Sequence, residues 1–289
     1  MRQAVLLVAH GAPERVEDVA EYLGHVFEGR IVPARVVEEV RSRYLAIGGG
    51  SPLLARSLLQ AEVLRTRLDV PVYLGMRNWH PFLKDALARI EADGVERIVA
   101  LGLIPQACGS TLRPYQRAVE AEVDSLGRRV EIVWAQGYHL DPNLVDAFAE
   151  KLQPSAGVRV LFTAHSLPLA ALAPGDDYER QVRDTAAAVA ARAGLQDWDV
   201  AFQSQGMAGG EWLGPTVESR IDAAAGAGVR EIVVQTVGFV ADHVEVLYDV
   251  DIAHREYART RGISLRRAES LNASTRYIDA LANIAGRYL

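Results

Sequence analysis

Cysteine is almost missing: Cys108 stands alone among 289 residues. One thiol rules out an internal disulfide and any all-cysteine cluster or zinc knuckle. No apolar run approaches the roughly 20 residues of a membrane span. The residues after Met1 run straight into an apolar strand pattern, without the basic and apolar regions of a signal peptide. A positive excess is lacking too. The formal net charge is −6, which argues against a polyanionic nucleic-acid partner. There is no Gly-x-Gly-x-x-Gly after a strand and no Gly-Lys-Ser/Thr phosphate loop, so neither a dinucleotide nor a nucleotide site is supported. With 49% hydrophobic and 24% charged residues, the composition is that of a cytoplasmic, soluble, globular protein. The length suits two domains of ordinary size.

What is present is a repeat. Ala4–Ala9 followed by His10-Gly11-Ala12-Pro13 is answered by Arg159–Ala164 followed by His165-Ser166-Leu167-Pro168. Val70–Met76 is answered by Trp198–Gln203, and Gly94–Leu101 by Gly228–Gln235. Glu131–Ala135 with Pro142–Leu152 is answered by Ser264–Ala268 with Ser274–Ala285. Each match is a short Val/Ile/Leu-rich strand pattern. Between them, Asp18–Phe27, Val36–Ile47, Ala55–Leu68, Pro81–Asp93, Pro114–Leu126, Asp177–Ala193 and Pro215–Ala227 carry apolar residues at helical spacing. Alternating strands and helices predict parallel sheets with right-handed crossovers and helices on both faces. The expected fold is α/β: two similar doubly wound domains, residues 1–153 and 154–289, joined near Gln153–Gly157, with the binding cleft between them. Residues 30–52 are extra relative to the second copy. Their Ile47-Gly48-Gly49-Gly50-Ser51-Pro52 reads as a flexible break, so the insertion is expected to form a lid or wall.

The repeat sets His10 and His165 at equivalent strand ends. The strand Glu231–Val237 leads into Phe239–Asp249, which carries Asp242, His243, Glu245 and Asp249 to the same mouth. On a continuous α-helix Glu245 and Asp249 share a face, where paired carboxylates need a cation or protons between them. The same pattern would also suit an ordinary acidic helix start. Imidazole with carboxylate suits a first-row divalent metal, whereas no His-x-x-x-His pair supports a closed zinc site. Ser166 lacks the glycine elbow of a catalytic serine. Trp79, Tyr115, Trp212, Phe239, Tyr248, Leu53 and Leu54 are placed to line a flat apolar slot. Arg43, Arg77 and Arg113 are candidates for meeting carboxylates at its rim.

These motifs resemble the ferrochelatase family. Thr163–Pro168 is similar to its catalytic-histidine motif, and Phe239–Asp249 to its catalytic-glutamate motif. Gln203–Gly206 with Trp212–Pro215 is similar to a third block, and Arg43–Leu53 to its N-terminal porphyrin-binding block. The likeness covers most of the chain in order and is nearest to short bacterial enzymes acting on coproporphyrin III. It implies a chelatase-type pair of Rossmann-like domains, each with a parallel four-stranded sheet, around a porphyrin cleft. It implies insertion of Fe2+ into a porphyrin in haem biosynthesis, converting coproporphyrin III to coproheme or protoporphyrin IX to protoheme. His165 and Glu245 would be the catalytic residues and would hold the incoming iron. Arg43, Tyr44, Ser51 and Tyr115 fall at porphyrin-binding positions. His10 falls where close relatives have a tyrosine that contacts the product iron. With no cysteine-bearing tail before Leu289, no iron–sulfur cluster of the animal type is implied, and a working monomer is expected.

Departures from the family pattern are local. Ala253, followed by His254, stands where the acidic series continues in relatives. Phe27 or Glu28 stands where relatives have a propionate-binding arginine, with Arg30 nearby but out of register, which shifts that expectation to Arg43. Two other readings remain open: a chelatase loading cobalt or iron into sirohydrochlorin, and a non-catalytic two-lobed haem binder.

Overall fold

The computed structural model describes residues 1–124, 130–152, 158–206 and 210–289. The expected join near Gln153–Gly157 and the expected helix end at Leu126 lie outside the described residues.

Among the described residues, eight parallel strands form two sheets of the same topology. β1 (Gln3–Ala9), β2 (Val72–Met76), β3 (Arg97–Gly102) and β4 (Glu131–Trp134) lie in the order β2-β1-β3-β4. β5 (Arg159–His165), β6 (Trp198–Gln203), β7 (Glu231–Thr236) and β8 (Ser264–Arg267) lie in the order β6-β5-β7-β8. The central strands are almost continuously apolar because both faces are covered: Ala4 to Val8 are fully buried, as expected of a parallel sheet. Edge closure is duplicated as well. The Met76 N–H bonds the Pro81 carbonyl at 2.7 Å, and the Phe202 N–H bonds the Pro215 carbonyl at 2.8 Å.

The helices are α1 (Val19–Val26), α2 (Ala34–Ala46), α3 (Leu53–Arg65), α4 (Leu83–Ala92), α5 (Gly109–Val123) and α6 (Pro142–Leu152). They continue as α7 (Tyr178–Arg192), α8 (Val217–Gly226), α9 (Val244–Leu247), α10 (Arg255–Thr260) and α11 (Thr275–Gly286). α11 buries Tyr277, Ile278, Leu281, Ile284 and Ala285 at three-and-four spacing. α8 is capped by the Thr216 hydroxyl, which accepts from the Ser219 N–H at 3.2 Å. α5 begins five residues before the Pro114 start that its sequence suggests. Thr111 takes up the Cys108 N–H at 2.9 Å, and Pro114 sits in the second turn, where its missing N–H forfeits a single helical bond.

One apolar core runs across both sheets, joining Leu7 and Leu101 to Phe148, Phe162 and Leu281. α6 packs on α7 and α11, and α11 packs on α3, so elements of each half lie against the other. Polar bonds cross too: the Gln60 amide donates to Asn272 at 2.8 Å, and the Gln106 amide to Val237 at 3.1 Å. Truncating Leu281 to alanine in this core should cost about 2–5 kcal/mol. The two strand mouths are thereby held in fixed opposition.

The insertion forms a wall tied to the first sheet. Val19, Tyr22, Leu23, Tyr44 and Trp79 make a separate cluster over β1 and β2. The Ile47–Pro52 break is fastened, contrary to the flexible reading. The Ser51 N–H bonds the Pro13 carbonyl at 2.9 Å and the Gly49 N–H bonds the Tyr44 carbonyl at 2.8 Å. A Cβ at Gly50 would lie 1.8 Å from the Glu14 carbonyl oxygen, so the backbones touch there.

Candidate active site

A cavity of about 360 Å³ lies between the carboxyl ends of the two sheets. Its walls include His10, Tyr44, Arg77 and Tyr115 from the first half and His165 and Glu245 from the second. Leu53, Phe239 and Val240 supply apolar surface.

His165 is the last residue of β5. Its Nδ1 contacts the Ser166 carbonyl oxygen. A carbonyl can only accept, so Nδ1 carries the hydrogen and Nε2 faces inward. Nε2 lies 3.5 Å from Glu245 Oε1. His243 repeats the arrangement from the other side: Nδ1 is 3.0 Å from the Ala241 carbonyl and Nε2 is 3.5 Å from Glu245 Oε2. One carboxylate is thus flanked by two imidazole nitrogens whose tautomers the backbone fixes. Such a cluster needs a proton or a cation to be favourable. Burial alone would depress the His165 imidazolium, but the Glu245 carboxylate and the Ser166 carbonyl outweigh it and raise its pKa to about 9. Burial likewise disfavours the Glu245 carboxylate, yet His165 and His243 hold its pKa well below the usual glutamate range. Gly238 allows this approach: a Cβ there would lie 2.6 Å from the Ala164 Cβ.

Asp249 lies elsewhere. After the single turn of α9, the chain widens into a π-helix over Asp249–His254, with the Ala253 N–H bonded to the Tyr248 carbonyl. Glu245 and Asp249 therefore do not stack on one uniform α-helical face as their spacing suggests. Glu245 lines the main cavity, and Asp249 lines a second one of about 350 Å³ behind it. There Asp249 accepts from the Ser204 hydroxyl. Burial and the Glu245 charge raise its pKa, against that bond and Arg43. Ala253 supplies no ligand to this second cavity. The neighbouring His254 is buried and sits 3.3 Å from Glu218.

Across the main cavity His10 follows the last residue of β1 in a different setting. Its Nε2 is 3.1 Å from the Tyr22 hydroxyl, and the Asn78 amide lies 3.2 Å and 3.3 Å from its two ring nitrogens. The residue is exposed through the cavity, while Tyr22 and Asn78 crowd its ring. That shelter from bulk water, with Arg77 adding to it and Glu245 opposing, brings its pKa down to about 4. His10 is a neutral imidazole. Gly11 secures the turn: its φ is +88°, and a Cβ would lie 2.7 Å from the Trp79 nitrogen.

The other sequence candidates divide. Tyr44 is fully buried against the cavity, with its hydroxyl lacking a hydrogen-bond partner. Tyr115 is buried beside it, and burial pushes its pKa up to about 12. Arg43 turns away from the main cavity. It pairs with Glu39 at 2.6 Å, approaches Asp249 at 3.8 Å and lies over the Tyr248 ring. Ser51 is buried outside the main-cavity wall, where its hydroxyl accepts from the Leu53 N–H at 3.3 Å. Trp79 packs behind that wall against Tyr22, and Tyr248 lines the second cavity. Ser166 is buried and donates to the Leu213 carbonyl at 2.7 Å.

Sequence reasoning gave no separate role to His243, Tyr22 or Asn78. His243 is only two residues from Glu245, which on a helix would point it away; its extended backbone, φ −160°, brings it back. Tyr22 and Asn78 reach His10 through the fold and carry no local signal. Among the described residues, Cys108, Asp176 and Asp177 also gather possible ligand atoms within 4.8 Å. Their carboxylates are engaged, Asp176 by the Ser110 and Tyr178 N–H groups and Asp177 by Arg180 and Gln181.

Comparisons with known proteins bear on the family and the fold. The ferrochelatase family model matches residues 2–289. A ferrochelatase of Acidobacterium capsulatum is 44% identical over 308 residues, covering 98% of this chain and 94% of that protein. A coproporphyrin III ferrochelatase of a Geobacillus species is 33% identical over 300 residues, covering 98% and 96%. Among solved structures, SirB from Bacillus subtilis with Fe3+ superposes with a TM-score of 0.66 over 99% of this chain and 95% of that one. At 13% identity this last likeness concerns the fold alone. With residues 2–289 matched by the family model and a 44% identical relative covered over 94% of its length, the chain belongs to the ferrochelatase family.

Proposed function

We propose that this protein inserts Fe2+ into coproporphyrin III, releasing both pyrrole protons. The observation that carries the reading is the His165–Glu245 pair, 3.5 Å apart on one wall of a cavity whose opposite wall holds His10. Chelation must remove protons from nitrogens at the centre of a planar ring while admitting a metal there. In the free enzyme His165 is protonated against the Glu245 carboxylate at neutral pH. An approaching ferrous ion displaces that proton, because imidazole and carboxylate are then both ligands. As the iron passes from these two side chains to the ring nitrogens, the freed His165 imidazole and Glu245 carboxylate each take up one pyrrole proton. Binding energy at the ring periphery offsets puckering of the macrocycle toward this wall. Iron is a substrate here, and no iron–sulfur cluster enters the reading.

His10 serves the other face. A neutral imidazole is a good ligand for ferrous iron, and His10 holds the product haem from the side away from Glu245. Tyr44 and Tyr115 pack the ring edge. Arg43 and Ser51 act from behind the wall: Arg43 through Asp249, and Ser51 by fixing the start of α3. We assign residues 1–153 and 154–289 to the two lobes and take the working unit to be a cytoplasmic monomer. Among the described residues no helix is long and apolar enough to cross a membrane.

Coproporphyrin III is preferred to protoporphyrin IX because relatives from Geobacillus and Mycolicibacterium, 33% and 35% identical, carry that name. Sirohydrochlorin is disfavoured. Its many carboxylates would meet one arginine, Arg77, among the described residues lining the cavity. Anaerobic mixing with Fe2+ and each tetrapyrrole tests the reading. The expected result is coproheme formation faster than protoheme formation, lost in His165→Ala and Glu245→Gln. Porphyrin binding without metalation would favour a non-catalytic haem carrier instead.

A further inference from the structure

Arg77 is the one lysine or arginine among the described residues lining the main cavity. β2 ends at Met76, so Arg77 leaves the sheet at the mouth, with its N–H bonded to the Ala9 carbonyl at 3.0 Å. Its side chain is 26% exposed, and Nη2 reaches Glu28 Oε1 at 3.0 Å. Glu28 comes from the turn after α1. Its φ is +52°, in the left-handed region, and Gly29 follows at +76°. Glutamate rarely takes that conformation, and here it carries a carboxylate to the fixed cation of the cavity. Arg43 is not a rival anchor, because it lines the second cavity and not the main one.

We propose that Arg77 anchors a carboxylate of the porphyrin and that Glu28 occupies the same guanidinium in the free enzyme, as a built-in competitor. The proposal rests on the functional reading above. Glu28 is 67% exposed, and a pair so open to water changes an equilibrium by a factor of about five or less. A substrate carboxylate can therefore displace it readily. Once a macrocycle fills the cavity, Arg77 is shielded from solvent, and a desolvated guanidinium without a carboxylate would be strongly disfavoured. The exchange thus lets Arg77 favour porphyrins that bring an acid to this corner. Glu28 keeps the guanidinium paired until that acid arrives, at little loss of affinity for the correct ligand.

The test is fluorescence titration of the intact protein with coproporphyrin III, mesoporphyrin IX and the carboxylate-free octaethylporphyrin in detergent. Arg77→Met should weaken coproporphyrin III binding by about tenfold or more and leave octaethylporphyrin within about twofold. Glu28→Gln should tighten coproporphyrin III by about two- to fivefold, and that gain should vanish when combined with Arg77→Met. Arg77→Lys, which keeps the charge but loses the fork, should fall between and serves if Arg77→Met does not fold. Equal weakening of octaethylporphyrin, unchanged coproporphyrin III binding, or no gain from Glu28→Gln would overturn the proposal. If coproporphyrin III is still metalated while Arg77 proves indifferent, this inference alone fails. If the wild-type protein binds no porphyrin, the functional reading falls and takes the inference with it.

Discussion

Equivalent strands in the two halves run into the same dipeptide, Ala9-His10 and Ala164-His165, and the fold then treats the two imidazoles in opposite ways. His165 faces a carboxylate and keeps a proton up to about pH 9; His10 faces a phenol, an amide and a guanidinium and gives its proton up near pH 4. Both rings line the same cavity, so location alone does not separate them. The difference lies in the segment that each half places after its third strand. After β7 the chain delivers Glu245 to the cavity; after β3 it delivers Gln106 and the uncharged Ser110, Thr111 and Tyr115 of α5. Duplication supplied two matching positions, and their neighbours decided which would handle protons and which would present a lone pair.

The largest way to break this asymmetry is to remove its source. Glu245→Gln should lower metal insertion by about a thousandfold, measured as the rate of coproheme formation, and should drop the His165 pKa from about 9 to near or below its ordinary value. The next is to create the same source on the other side. Asn78→Asp would set a carboxylate beside His10, whose ring nitrogens lie 3.2 Å and 3.3 Å from the Asn78 amide. The His10 pKa should rise by about 1–3 units, read by NMR. Removing His10 itself should matter less to turnover: His10→Ala should weaken product haem by about tenfold and shift its Soret band, and an unchanged spectrum would refute iron ligation by His10.

A smaller effect concerns stability. The folded pKa of His165 lies above its unfolded value of about 6.5, so its contribution is complete below that pH and is lost as pH rises through about 9. Glu245, depressed in the fold, contributes above its unfolded value near 4.3 and loses that contribution in acid. Urea midpoints of wild type and Glu245→Gln should differ most between these unfolded values and converge as pH rises through 9. A gap that widens in alkali would contradict the linkage.

Much of the scaffold could be read from residue patterns because parallel strands covered on both faces are apolar runs, and the repeat doubled the signal. The boundaries of β6 agree to the residue with Trp198–Gln203, and β5 runs one residue beyond Arg159–Ala164 to include His165. Placement of His10, His165 and Glu245 around one cavity followed from the same repeat. The π-helix did not, because one extra residue per turn leaves no mark in the apolar pattern: Val246 and Val250 are buried either way. The direction of Arg43 was equally hidden, since a long side chain at one helix position can reach either cavity and the choice was made by Asp249. Tyr22 and Asn78 belong to elements whose meeting with His10 is purely tertiary. The packing of α6 and α11 against the opposite halves is legible only as apolar faces without a stated partner.

The central claim is that a shared strand-end position has been split into a proton-holding and a proton-free imidazole by one carboxylate. A pH titration of histidine ring resonances in the 13C-labelled intact protein, assigned with His165→Ala and His10→Ala, tests it directly. The account predicts one ring titrating near pH 9 that disappears with His165, and another that stays neutral down to about pH 4 and disappears with His10. Both rings titrating together near the ordinary histidine value would contradict it.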